Sequence, residues 1–112
     1  MLLASLVLAT ALPAAADADL RCFITTAVIA GNADAGSQPV AMESLLYWLG
    51  RLDAQMDDET LKRRVAAEVG KMTQAEFQAD AQRCGTEIET RGAAVQDLGQ
   101  AIQNSAKSPV GK

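Results

Sequence analysis

The clearest pattern of hydrophobic and polar positions lies between Met72 and Gln103. Apolar residues recur there at alternating spacings of four and three, with Arg91 at the one missing position. This spacing is typical of a helix stripe that packs along a partner. The stripe consists of Phe77, Ala81, Cys84, Ile88, Val95, Leu98 and Ile102. Because the periodicity passes Gly85 without a change of phase, it favours one long helix over two helices with a new N-cap at Thr86. We expect the other helices to be arranged around it.

Glycines form a second stripe beside the first, since Gly85, Gly92 and Gly99 are seven residues apart. Glycine costs about 1 kcal/mol relative to alanine inside a helix. Three glycines at this interval predict that another backbone lies close to the long helix. The favoured interpretation is close packing between helices of the chain. The alternative is a groove that accepts a partner helix or a ligand.

The start of the long helix has the strongest local signal. Thr73 and Glu76 have the spacing of a capping box, in which each side chain accepts a hydrogen bond from the other residue's backbone N–H. Met72 and Phe77 flank the box as a hydrophobic staple. The helix is therefore predicted to begin at this point.

An earlier helix is predicted at residues 19–30, which are apolar almost all round and should be buried. Asp17 or Asp19 would cap it and Gly31 would end it. A polar loop follows at residues 32–36.

The second helix is predicted to follow Ser37 as N-cap, with Pro39 in its first turn, where a missing N–H is harmless. Asp53 projects onto the apolar face, where an unpaired charge is costly. We therefore expect Asp53 near the helix end, in water or paired with an arginine. The apolar face consists of Met42, Leu45, Leu46, Leu49, Leu52 and Met56.

An acidic cluster, Asp57, Asp58 and Glu59, precedes a third helix. A metal site is one interpretation, but the cluster lacks the alternating ligands and central glycine of a calcium loop. Carboxylates at a helix N-terminus cap the free N–H groups and oppose the helix dipole, so capping is favoured. The inner face of this helix is predicted to contain Leu61, Val65, Val69 and Met72.

The N-terminal residues 1–16 have the layout of a secretory signal peptide, although no basic side chain precedes the apolar run. Ala14-Ala15-Ala16 supplies a small-x-small cleavage pattern, and cleavage after Ala18 is an alternative. A buried first helix is the other interpretation. The apolar run is too short to span a bilayer, so no stable membrane span is expected after export.

Two cysteines in an exported chain predict one disulfide, Cys22–Cys84, whereas free thiols would require a reducing compartment. The predicted fold class is all-α. It is a small four-helix domain at residues 17–104 with a long C-terminal helix, followed by a disordered tail at residues 105–112. The predicted location is the periplasm or the outside of a bacterial cell.

Charge and composition argue against several functions. The 112 residues include fourteen acidic and ten basic side chains, for a net charge of −4, without a basic patch, so nucleic acid is not an expected partner. Histidine is absent, and the serines have no basic partner that would make them nucleophiles. No enzyme activity, metal or cofactor is therefore predicted.

The candidate interaction surface lies on the second helix at Tyr47, Trp48 and Arg51, because these residue types dominate binding hot spots. The favoured alternative is that Trp48 completes the core while Tyr47 covers it with its hydroxyl group in water.

Three stretches resemble a group of small exported bacterial helical proteins with one disulfide, a resemblance that brings no function with it. These stretches are Leu20-Arg21-Cys22, residues 47–53, and the series Arg83-Cys84-Gly85, Arg91-Gly92 and Leu98-Gly99. The layout is also similar to that of acid-stress chaperones of the HdeA type.

The leading functional hypothesis is an exported, non-enzymatic protein that binds another protein through its helix faces. An acid-stress chaperone is the second, since protonation of fourteen carboxylates would leave a net positive chain. A carrier of small apolar ligands is the third, suggested by Met42, Met56 and Met72 on predicted inner faces.

Overall fold

The computed structural model describes the backbone of residues 4–110 and the side chains of residues 16–106. Its four helices, in chain order, are α1 (Ala4–Asn32), α2 (Gln38–Asp53), α3 (Asp58–Val69) and α4 (Gln74–Val110). No strand occurs among the described residues. Cys22 of α1 and Cys84 of α4 form a disulfide with their Cα atoms 5.5 Å apart. The predicted all-α fold with one disulfide is confirmed.

Helix α1, rather than the long helix α4, lies at the centre of the bundle. Leu20 and Ile24 of α1 pack with Leu52 of α2 and Leu61 of α3 in one buried cluster. The disulfide packs with Trp48 of α2 in an adjoining cluster. Full burial of one large apolar side chain contributes about 1.5–3 kcal/mol. Because α1 contributes to both clusters and contacts every other helix, the other three helices are arranged around it.

The predicted start signals of α3 and α4 are present. The Asp57 side chain accepts a hydrogen bond from the Thr60 N–H at 2.8 Å and caps α3. Thr73 Oγ1 accepts from the Glu76 N–H at 3.1 Å, and Glu76 Oε1 accepts from the Thr73 N–H at 3.0 Å. Helix α4 then continues through Gly85 without a break, as predicted.

The ends of α1 differ from the prediction. The helix begins at Ala4, so Asp17 and Asp19 lie inside it and cap nothing. Gly31 is also helical and does not adopt the left-handed conformation of a helix stop, and α1 ends at Asn32. Cleavage of a signal peptide within this helix stays a prediction, and residues 1–3 lie outside the described part.

Two other helix ends differ in part from the prediction. Ser37 is the N-cap residue of α2, as predicted, but its backbone is in the helical region instead of the extended one and its side chain makes no capping bond; Pro39 lies in the first turn. The C-terminal tail was predicted to be disordered from residue 105, but α4 continues to Val110.

The apolar face of α2 is rotated from its predicted position. Trp48 and Leu52 are fully buried, whereas Met42 and Leu46 are exposed. Trp48 is the largest side chain in the core, so its burial against the disulfide turns Met42 and Leu46 towards solvent. Asp53 lies at the exposed end of α2, as expected.

Helix α4 is packed only over its first half. Phe77, Ala81, Cys84 and Ile88 are buried or half-buried. Farther along the same helix, Val95, Leu98 and Ile102 are 64%, 58% and 67% exposed. The radius of gyration is 18.4 Å, compared with about 13 Å for a compact domain of this length. The second half of α4 therefore extends beyond the bundle.

Candidate binding groove

An apolar groove of about 500 Å³ lies between the C-terminal half of α1, the N-terminal half of α2 and the first half of α4. Ile29 of α1, Val40 and Ala41 of α2, and Gly85 and Ile88 of α4 form its walls. The groove is open to solvent along one side. Its volume lies within the range of about 300–1,000 Å³ that is typical of ligand sites.

The floor of the groove includes Cys84 of the disulfide and the side chains of Thr25 and Thr26. Thr25 is 1% exposed, and its Oγ1 has no hydrogen-bond partner among the described residues. A buried hydroxyl without a partner is unfavourable in a folded protein. Glu89 at the rim is the only charged side chain among the described lining residues. The groove therefore favours an apolar occupant.

Small residues and a fixed turn keep the groove open. Ala33 and Gly36 in the α1–α2 turn and Ala41 in α2 leave space that larger side chains would fill. The Gln38 side chain donates to the Ala30 carbonyl oxygen at 2.8 Å and ties the start of α2 to the end of α1. The turn therefore holds the two walls in place.

Among the described residues, no other helix lies against the glycine stripe of α4. A Cβ atom added to Gly85, Gly92 or Gly99 would meet nothing within 4 Å. The predicted close helix packing at these glycines is therefore wrong for the single chain. The bundle contacts α4 through the disulfide and through Ile88, which packs against the cluster of Cys22, Trp48 and Cys84. The stripe is instead open, and its first glycine lines the groove.

The predicted interaction surface at Tyr47, Trp48 and Arg51 is mostly engaged within the chain. Trp48 is 0% exposed, so it belongs to the core and does not face a partner. Its ring lies edge-on to that of Tyr47, with the centroids 4.8 Å apart. Trp48 Nε1 has no hydrogen-bond partner among the described residues.

Tyr47 and Arg51 bind side chains of neighbouring helices. The Tyr47 hydroxyl donates to Glu87 Oε2 of α4 at 2.7 Å. Burial and this bond to a carboxylate raise the pKa of Tyr47. Arg51 Nε donates to Asp19 Oδ1 of α1 at 3.0 Å, and this bond raises the pKa of Arg51. Both side chains therefore join helices and are only partly free to meet a partner.

Residues 17–21 of α1, which we call the α1 ion-pair segment, bind all three other helices. Asp19 is buried and accepts from Arg51 and from Gln55 Nε2, the latter at 2.9 Å. Asp17 pairs with Arg64 of α3. Because each residue contacts a different helix, the segment fixes the arrangement of the bundle.

The same segment also holds α4. Arg21 Nε donates at 2.7 Å to Asp80, a buried carboxylate of α4, and the Arg21 guanidinium also lies 3.3 Å from Glu76. Arg83 donates to Asp80 at 3.2 Å and to the Ala18 carbonyl oxygen at 3.3 Å. These pairs were not predicted from the sequence. The sequence feature that could have indicated these pairs is the charge at alternate positions of an otherwise apolar stretch, at Asp17, Asp19 and Arg21.

The described residues include no group of three or more side chains arranged to hold a metal ion. None of the helices in that part of the chain combines the length and hydropathy needed to cross a bilayer. The chain matches no protein-family model, no curated protein and no solved structure.

Proposed function

We propose that this chain is an exported, non-enzymatic binding protein that takes up an apolar helical segment of another protein in the groove between α1, α2 and α4. The observation that carries this proposal is the groove itself, about 500 Å³ in volume, walled by Ile29, Val40 and Ile88. An amphipathic helix lays its apolar face into a groove of this kind.

The groove supports protein binding better than the predicted surface at Tyr47, Trp48 and Arg51. Trp48 is buried, and the polar groups of Tyr47 and Arg51 already have partners within the chain. A partner at that surface would gain little from these groups. By contrast, the exposed apolar side chains of Ile29 and Val40 lose contact with water when the groove is filled.

A carrier of small apolar ligands is the second candidate, and the groove volume favours it. The methionines that suggested this function are elsewhere: Met56 and Met72 pack against the core, and Met42 is exposed outside the groove lining. A ligand would instead contact the aliphatic walls. The hydroxyl groups of Thr25 and Thr26 at the floor are candidates for a hydrogen bond to a polar end of the ligand.

An acid-stress chaperone remains a proposal from the carboxylate content. Its structural support is that Asp19 and Asp80, two buried carboxylates, join α1 to α2 and α4 through arginines. Suppression of client aggregation at about pH 3 would support this function, and its absence would refute it.

Filling the groove tests the leading proposal. Ala41→Trp places a large side chain in the groove, and Ala54→Trp places the same side chain at the exposed end of α2 as a matched control. Binding of a fluorescent amphipathic Leu/Lys helical peptide is measured by anisotropy, and binding of anilinonaphthalene sulfonate by fluorescence. Circular dichroism establishes that both variants are folded.

We expect the unmodified chain and Ala54→Trp to bind the peptide, and Ala41→Trp to bind it at least about tenfold more weakly. Binding of the small dye without the peptide would favour the ligand-carrier function. If neither probe binds, or if both variants bind equally, the groove is not the binding site.

A further inference from the structure

The second half of α4 is largely exposed and packs against no other helix in the part of the chain that the structure describes. Residues 92–106 include only one charged side chain, Asp97, and nearly all of them are exposed. An isolated helix of this length has marginal stability in water. The exposed Val95, Leu98 and Ile102 lie along this part of the helix. Such an apolar surface on an extended helix marks an interaction site.

Small and large residues alternate along one face of α4. Each glycine of the stripe is followed three residues later by a β-branched aliphatic residue, so glycine and aliphatic positions repeat together every seven residues. The first glycine and the first aliphatic residue line the groove, which makes the face continuous with the groove wall. In sequence order the positions are Gly85, Ile88, Gly92, Val95, Gly99 and Ile102.

We propose that this face pairs with the same face of a second copy of the chain, with the two α4 helices antiparallel. The two-fold axis then passes between positions 93 and 94. Every glycine lies opposite an aliphatic side chain of the second copy, because the two residues of each opposed pair are equally far from this axis, one on either side of it. The opposed pairs are Gly85–Ile102, Ile88–Gly99 and Gly92–Val95.

The alternation of small and large residues specifies this orientation. In an antiparallel pair, the exposed side chains of Val95 and Ile102 fill the space that the opposite glycines leave, as close packing requires, while Ile88 also packs on the core of its own chain. In a parallel pair, each glycine would face the same glycine of the second copy and leave a gap. Val95 would face Val95, and the two side chains would be crowded. The Cβ position at Gly92 meets nothing in the single chain, so the space is free for the second copy.

The charges beside the face also fit a second copy. On a heptad repeat, Glu89 and Arg91 flank the paired stripe. In the antiparallel register Glu89 lies near Gln96 of the second copy, and Arg91 lies near Leu98 of the second copy. Asp97 lies on the opposite side of the helix. No like charges meet, so identical faces can associate without repulsion.

Pairing also changes the groove. Ile102 of the second copy lies beside Gly85, at the α4 wall, and adds an apolar surface on the open side. Thr25 beneath the groove, nearly fully buried with no hydrogen-bond partner, is an independent indication that this region receives an occupant. This completion of the groove rests on the proposed function, whereas the pairing of α4 does not.

The area of the contact determines how stable the dimer is expected to be. The overlap from residue 85 to residue 102 is about 27 Å of helix, and a strip about 10 Å wide along it falls short of about 800 Å² per partner in a standard stable interface. Contacts of the second copy with the groove walls enlarge the area. We therefore expect a reversible dimer whose population increases with protein concentration.

The first test measures the molecular mass of the protein in solution by analytical ultracentrifugation over a range of protein concentrations. The protein is used in the form in which it is purified from the producing cell. Gly92→Glu introduces a charged side chain into the paired face, and Thr90→Glu introduces the same charge on the opposite face of α4. We expect dimers for the unmodified chain and for Thr90→Glu, and a monomer for Gly92→Glu at every concentration. A monomeric unmodified chain, or equal dimerisation of both variants, would overturn the inference.

The second test determines the register. Chains with Ile88→Cys are mixed with chains with Gly99→Cys and oxidised, and the cross-links are identified by mass spectrometry. Antiparallel pairing gives an 88–99 link between unlike chains, whereas links between like chains, 88–88 or 99–99, would overturn it, because like positions lie about 16 Å apart along the axis of an antiparallel pair.

Peptide binding separates this inference from the proposed function. A monomer that still binds the Leu/Lys peptide refutes the dimer and retains the binding function, with another protein as the occupant of the α4 face. A dimer that binds neither the peptide nor the dye supports the inference and refutes the binding function.

Discussion

Reduction of the Cys22–Cys84 disulfide should lower the free energy of unfolding by about 4 kcal/mol, because the bond closes a loop between residues 62 positions apart. The value comes from the loop-closure entropy that the bond removes from the unfolded chain. It is a large fraction of the total of about 5–15 kcal/mol that is usual for a folded protein. Without the bond, Trp48 also loses the covalent link between the two helices against which it packs.

The assay is urea unfolding with and without dithiothreitol, followed by Trp48 fluorescence, because the single tryptophan lies against the disulfide. With a denaturant slope of about 1–2 kcal/mol per M, reduction should lower the midpoint by about 2–4 M. The Cys22→Ala, Cys84→Ala double variant is the control, since dithiothreitol should leave its midpoint unchanged. A shift of less than about 0.5 M in the unmodified chain would show that loop closure contributes little.

Two further predictions concern the polar contacts. Asp19→Ala removes the buried acceptor of Arg51 and should cost about 1–3 kcal/mol in urea unfolding, since the Arg51 side chain is 46% exposed and is rehydrated. Asp53→Ala, at an exposed position, should change stability by less than about 0.5 kcal/mol, and equal effects of the two variants would contradict the assigned role of Asp19. The Thr73 N–H lowers the pKa of Glu76 from its usual 4.5, so this cap stabilises the fold above that pH and its contribution is lost as the pH falls through the lowered pKa. Glu76→Gln should therefore show a smaller loss of urea midpoint between about pH 6 and about pH 3, and an unchanged loss would refute the assignment.

Features that depend on neighbouring residues were predictable from the sequence. The Thr73–Glu76 capping box and the Asp57 cap join residues three positions apart, so local spacing was sufficient to identify them. The disulfide followed from the presence of only two cysteines in a chain with a predicted signal peptide.

Features that depend on distant residues were missed. The Arg51–Asp19 pair joins residues 32 positions apart, and the bond from Arg83 to the Ala18 carbonyl oxygen joins residues 65 positions apart. No periodicity within one helix can indicate such partners. The predicted caps at Asp17 and Asp19 failed for the same reason, because carboxylates near a helix start look alike whether they bind local N–H groups or distant arginines.

The site was only partly predictable. The glycine stripe indicated a close approach, and the open alternative, a groove for a partner, fits the free space beside Gly85. Sequence spacing does not indicate which side of α4 faces the bundle, because both the apolar stripe and the glycine stripe could pack against it. The bulk of Trp48 and the disulfide determined the outcome by drawing the Cys84 side of α4 inward.

The central position of α1 has a consequence for the order of events during synthesis. Of the four described helices, α1 is synthesised first and the other three pack on it, so Asp19 is made before its partners Arg51 and Gln55, and Cys22 before Cys84. Early chains therefore expose a largely apolar helix without its partners. The disulfide can form only after Cys84 has been made, and a chaperone that holds α1 until then would prevent its aggregation.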